Sequence, residues 1–147
     1  VVEDLIAAGA DGALVAIGGD LRAMGEGPDG GWTIAVEDPL ARTGELTRLA
    51  LQAGGVATSS TRWRRWVIDG EERHHVLDPS TGRPTSGAIV AATVVAGTAA
   101  WAEAWTKAVM VRGPEHVLAE LDALGLGALA VRADGATMTN ETWKDFT

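Results

Sequence analysis

"RWRRWVIDGEERHHVLDPSTGRP", Arg62 to Pro84, is the stretch whose reading decides the fold. Asp69-Gly70 is a strong two-residue hairpin signal, because the favoured turns need positive φ at their central residues. It separates "RWRRWVI" from "RHHVL", so these two runs are expected to pair as antiparallel strands. Asp78-Pro79 then turns the chain, and Gly82 suits the end of that turn. Successive residues of a strand face opposite ways. His74 and His75 therefore cannot both point into one site. Two readings stand at this point: a turn with incidental histidines, or a site where His75 accepts a proton near neutral pH.

The flanking sequence supplies the other elements. "VVEDLIAAGADG" places Val2, Leu5 and Ile6 on one helical face, with Gly9 at its end. Ala13 to Ile17 is a short apolar run expected as a buried strand, and Leu21 to Met24 as a second extended piece. "WTIAVED" alternates Trp32, Ile34 and Val36 before stopping at Asp38-Pro39. "ELTRLALQ", "GVATSS" and "GAIVAATVVAG" also read as extended. "TAAWAEAWTKAVMVRG" is the clearest helix, with Trp101, Trp105, Ala108, Val109 and Arg112 at helical spacing and the tryptophans read as core packing. "PEHVLAELDALG" is a second helix between Pro114 and Gly125, and "ALAVRADGATMT" a hairpin around Asp134-Gly135. The sum is an α+β fold with a largely antiparallel or mixed β-sheet and two to three helices, in one domain of 147 residues.

Composition removes several classes of function. Hydrophobic residues make up 46% and charged residues 22%, which suits a globular chain rather than a disordered one. No apolar run approaches a membrane span. A net charge of -8 argues against nucleic acid, which needs a surplus of Lys and Arg. A local site for a small anion remains compatible with that charge. Without cysteine there is no disulfide, thiolate metal site or cysteine nucleophile. The cellular compartment is not encoded in these residues.

Four motifs carry candidate chemistry. "GGDLRAMG" follows a strand; Gly18 and Gly19 either just connect strands or let the backbone approach a ligand that Asp20 contacts. It matches neither a Walker loop nor a Rossmann fingerprint. "GVATSSTRW" offers hydroxyls at Thr58, Ser59, Ser60 and Thr61, as a plain polar loop or as one facing a ligand. "RWRRW" is a local basic patch or an ordinary sheet face. Glu103 and Lys107, four apart on a helix, form an exposed ion pair worth about 0.3–0.5 kcal/mol or place opposite charges beside a phosphate, with Thr106 adjacent.

In this order the motifs resemble the ApbE family of FAD:protein FMN transferases over essentially the whole chain. "GGDLRAMG" is similar to that family's Gly-Gly-Asp/Asn segment, and "WTIAVEDP" to its Trp-x-Ile-x-Ile-x-Asp-Pro strand. "VATSST" resembles its Ala-Thr-Ser-Gly segment, with Ser60 where Gly is usual. "HHVLDPSTGRP" resembles its His-Ile-Ile-Asp-Pro-x-Thr-Gly-x-Pro signature, and "AEAWTKAVMVRG" its Ala-Asp-Ala-x-x-Thr-Ala-Leu helix. The resemblance implies a T-fold-like flavin transferase that moves FMN from FAD to a Ser or Thr hydroxyl of an acceptor protein, releasing AMP. The alternatives are FAD hydrolysis, or a flavin-binding or interaction module without turnover. It implies His75 as the base and Lys107 as a catalytic charge. It places Gly18, Gly19, Asp20, Thr58, Ser59, Asp78, Thr81 and Gly82 around the cofactor.

The resemblance also implies Mg²⁺, held in the family by Asp and, four residues later, Thr. Those positions are Glu103 and Lys107 here, with Thr106 shifted by one. A charged lysine has three donors and no acceptor, so it cannot ligate Mg²⁺. Either Lys107 replaces the metal as the positive charge, or Glu103 and Thr106 still hold Mg²⁺. Family members carry an N-terminal half before the stretch similar to "VVEDLIAAG". The chain is thus expected to be a C-terminal portion that associates with itself or with a missing segment, since unpaired sheet edges invite pairing.

Overall fold

The computed structural model describes residues 1–41 and 43–147. In chain order the elements are α1 (Val2–Ala7), β1 (Gly12–Ile17), β2 (Asp20–Gly25), β3 (Trp32–Glu37), β4 (Glu45–Leu51) and β5 (Gly54–Ser60). There follow β6 (Arg65–Ile68), β7 (Glu71–His74), β8 (Leu77–Asp78), β9 (Arg83–Pro84), β10 (Ile89–Ala96), α2 (Ala99–Arg112), α3 (Pro114–Ala123), β11 (Gly127–Arg132) and β12 (Thr137–Thr139). The fold is α+β. A six-stranded sheet runs β1-β2-β5-β10-β11-β12, and β3-β4, β6-β7 and β8-β9 form separate hairpins. Every strand pair among the described residues is antiparallel.

The sheet is the middle of three layers. From β10, Ala92, Val94 and Ala96 join Ala57, Ala102, Val109, Val117 and Leu121 in a core beneath α2 and α3. Val95 faces the other way, into a core with Ile34, Val36, Leu49 and Leu51 of the β3-β4 hairpin. Buried on both faces, β10 reads as the continuous apolar run seen in its sequence. Its alternation shifts at Val90, where the register with β11 skips between Ile89 and Ala91.

The central hairpin forms around the expected turn. Asp69 and Gly70 have φ of 53° and 80°, the positive pair such a turn requires. Arg65 pairs with His74 and Ile68 with Glu71. The strands are shorter than the sequence suggests: residues 61–64 turn instead of extending, and the chain bends at His75. Gly18 and Gly19, at φ of 65° and 102°, close the β1-β2 hairpin in the same way.

Three further expectations change. Leu5 is exposed, and only Val2 of α1 is buried. β1 is an edge strand rather than a buried one; Ile17, at the hairpin tip, is 70% exposed. The buried face of α2 is Ala102, Thr106, Val109 and Met110, while Trp101 is 51% exposed and stacks edge-on against Trp105. The cause is the facing strand. β5 presents Gly55 and Ala57, and a Cβ on Gly55 would overlap the backbone of Thr98 and Ala99. At that point helix and sheet approach too closely for a large side chain, so Trp101 stays outside, whereas Trp105 packs against the helix-side core as expected.

Candidate functional site

The close seam brings the second half of β5 against the middle of α2. "ATSS" is strand, as the extended reading of "GVATSS" expected, rather than a polar loop, so its side chains alternate. Ser59 points at the helix and is buried; Thr58 points to the opposite face and bonds Thr93 at 2.9 Å. Ser59 Oγ lies 2.6 Å from Thr106 Oγ1 and 3.2 Å from Glu103 Oε2, and accepts from Lys107 Nζ at 2.6 Å. Thr106 donates to the Glu103 carbonyl at 2.7 Å, so its oxygen accepts from Ser59. The result is one polar network in which Ser59 accepts from Lys107 and has Thr106 Oγ1 and Glu103 Oε2 as acceptors for its single proton. Lys107 also pairs with Glu103.

This cluster forms one wall of a cavity of about 620 Å³. The β1-β2 tip contributes Gly18, Gly19 and Asp20; β5 contributes Thr58, Ser59 and Ser60; α2 contributes Glu103 and Lys107; His75 closes one side. Beyond Val56, β5 has β10 on one edge and no strand on the other among the described residues. Val76, buried in the helix-side core, anchors the chain beside His75. Burying that side chain is worth about 1.5–3 kcal/mol, which resists displacement of its neighbour. His74 lines a different cavity, so the two histidines do separate, although by a bend rather than by strand alternation.

Other candidate residues lie elsewhere. Asp78, Thr81 and Gly82 are outside the wall of the larger cavity. Asp78 Oδ1 is occupied by the Ser80 N–H at 2.8 Å and the Ser80 hydroxyl at 2.7 Å, which hold its carboxyl below the usual range. Gly82, at φ of 66°, returns its N–H to the Asp78 carbonyl at 2.8 Å. That turn shapes the backbone after His75. Thr106 is fully buried beneath the wall. Trp63 and Arg64, read from sequence only as part of the "RWRRW" patch or sheet face, line the cavity from the turn before β6. The sequence reading missed the rim from Glu37, Pro39 and Leu46. The signal for Arg64 was the second arginine of "RWRR", hidden because strand alternation does not describe a turn.

The electrostatics favour a neutral base among cations. Burial first, and then the Lys107 charge, hold the His75 imidazole below the ordinary histidine range; the Arg64 backbone draws it up, and the charges of Arg64 and His74 press it down. Its Nδ1 is buried without a partner among the described residues. Burial and then Glu103 push the Asp20 carboxyl up, against Lys107 and Arg64.

The same geometry does not suit Mg²⁺. Lys107 sits on the Glu103 carboxylate, and the Thr106 hydroxyl is enclosed by Ser59 and its own helix. No group of three or more His, Asp or Glu able to hold a metal occurs among the described residues. Lys107 thus takes the carboxylate that a hard cation at Glu103 and Thr106 would need.

Comparison with known proteins identifies the family. The model of the ApbE family matches residues 1–130. An FAD:protein FMN transferase of Escherichia coli (strain K12) is 32% identical over 132 residues, covering 88% of this chain and 37% of that protein. The Vibrio cholerae transferase is 30% identical over 149 residues, covering 99% and 43%. The crystal structure of the ApbE protein from Thermotoga maritima superposes with a TM-score of 0.82 at 34% identity, over 92% of this chain and 44% of that one. The flavin transferase ApbE from Vibrio cholerae gives 0.80 at 28%, over 99% and 47%. The chain spans less than half the length of each of these relatives. With a family match over most of its residues, and a sheet and helix arrangement shared with solved members, this chain belongs to the ApbE family.

Proposed function

We propose that this chain contributes to FAD:protein FMN transfer, in which FMN passes from FAD to a Ser or Thr hydroxyl of an acceptor protein. The hydroxyl oxygen bonds to the FMN-side phosphorus, the pyrophosphate bridge breaks, and AMP leaves. The observation that carries the reading is one cavity bringing a depressed-pKa imidazole together with two cationic side chains. Neutral His75 takes the hydroxyl proton. Lys107 and Arg64 offset charge on the pyrophosphate in a partly buried site, where such charges act more strongly than in water. Asp20 offers a hydrogen bond to ribose or flavin, and Thr58 and Ser60 add hydroxyls on the opposite wall.

Lys107 stands in this reading where a metal would supply charge. Turnover that survives thorough chelation and disappears in Lys107→Ala supports it. Strict magnesium dependence refutes it. The reaction itself is tested by intact mass after incubation with FAD and a Ser/Thr-containing acceptor. Transfer leaves a covalent FMN adduct that His75→Asn abolishes. Free FMN and AMP without adduct identify hydrolysis instead. Bound, unaltered FAD identifies a flavin-binding module.

A further inference from the structure

A second cavity, of about 390 Å³, lies on the other side of the histidine pair and shares no lining residue with the first. It is lined by Arg62, Arg65, Arg73 and Arg83 together with Glu72, while Arg73 lies on the other strand face from Arg65 and Glu72. That is a concentrated positive wall in a chain of net charge -8. Arg65 pairs with Glu72, and Arg73 with Glu71. Arg62 and Arg83 have no ion-pair partner among the described residues. His74 Nδ1 and Thr85 Oγ1, both from lining residues, are buried without hydrogen-bond partners among those residues. Unpaired buried polar atoms are rare in native structures, and each calls for an explanation such as a bound water or ion.

We propose that this cavity receives the carboxylate side chains of a short acidic peptide segment. The paired arginines already show the chemistry, since both hold carboxylates of their own chain, and a guanidinium fork matches a carboxylate in two parallel bonds. On the strand face of Arg65, and opposite Glu72, the hairpin exposes Val67. A bare inorganic anion leaves that apolar surface uncovered, whereas a peptide covers it. The overall negative charge repels an extended polyanion such as nucleic acid. A short segment responds to the local field. This inference goes beyond the transfer reaction and holds whether or not the chain turns over FAD.

The test uses the full chain without FAD and a fluorescein-labelled hexaglutamate peptide, read by anisotropy at low salt. Saturable binding is expected, weakening as sodium chloride is added. Arg62→Glu/Arg83→Glu should weaken it at least roughly tenfold, because it reverses two unpaired cations. Lys144→Glu, outside the cavity wall, should not. Absence of saturable binding overturns the proposal. So does an equal loss in Lys144→Glu, which indicates non-specific attraction. Displacement by inorganic pyrophosphate at lower concentration than by unlabelled peptide identifies a phosphate site and also overturns it.

Discussion

Lys107→Met is the most informative single change, because methionine keeps most of the apolar stem and removes only the ammonium. Two interactions go with it. The pair with Glu103 joins side chains 36% and 38% exposed, so solvent screens it and its share is about 0.3–1 kcal/mol. The bond to Ser59 Oγ at 2.6 Å adds about 1 kcal/mol. Ser59 keeps Thr106 and Glu103 as neighbours, so no orphaned hydroxyl enlarges the loss. The expected destabilisation is about 1–2 kcal/mol, a fall in Tm of about 2–8 °C for a chain of this size. Urea unfolding of wild type, Lys107→Met, Glu103→Gln and the double variant closes a cycle. Glu103 and Lys107 should couple. Strictly additive effects, or a Lys107→Met variant as stable as wild type, would show that the ammonium is not seated on this cluster.

The other expectations probe separate parts of the molecule. Gly55→Ala should destabilise by about 3 kcal/mol, because the colliding atoms are backbone; an unchanged urea midpoint contradicts the close seam between β5 and α2. Asn140→Ala should cost about 3 kcal/mol or more by leaving the Ala128 and Trp143 N–H groups and the Leu126 carbonyl without their partner; differential scanning calorimetry reads this, and a loss below 1 kcal/mol would argue against it. His75 should titrate below the ordinary histidine value of about 6.5, and Lys107→Met should move it upward, both by NMR. In the window below 6.5 the unfolded chain binds more protons than the folded one, so the His75 contribution favours folding above that range and is lost as pH falls through the folded pKa. A His75→Asn variant that keeps the whole acid-side slope disproves this assignment. Lys107→Thr frees the Glu103 carboxylate, so magnesium chloride should raise the Tm of this variant and not of wild type; equal shifts in both refute the argument.

Most elements were legible because their patterns are local. Asp69-Gly70 set the central hairpin, alternation set β3, and the unbroken apolar run of β10 marked a strand buried on both faces. The helical period set α2, but its buried face was assigned by hydrophobicity, which counts tryptophan as core and threonine as surface. The facing strand changes that ranking at two positions: beside Gly55 the close approach leaves Trp101 outside, and Thr106 is buried because Ser59 and its own helix satisfy its hydroxyl. Such a decision belongs to two elements separated by dozens of residues, and no window of sequence contains both. The site shows the same division. His75, Asp20, Ser59 and Lys107 were found by motif, whereas Arg64 and the β3-β4 rim became visible only when the hairpin folded over the sheet.

The position of Lys107 joins these observations. A lysine on a helix surface usually costs little to change, because its ammonium is in water. Here the glycine-bearing seam brings β5 close enough for Ser59 to reach the second turn of α2, and the ammonium settles between that hydroxyl and Glu103. One side chain therefore has three effects: it neutralises the nearest carboxylate, lowers the proton affinity of His75, and presents positive charge to the cavity. A divalent ion coordinated by Glu103 would have to displace it, and the ammonium would then lose its fixed partner. Ammonium and metal are thus competitors for one carboxylate. Lys107 therefore holds by itself the one carboxylate of this wall that a cation could share.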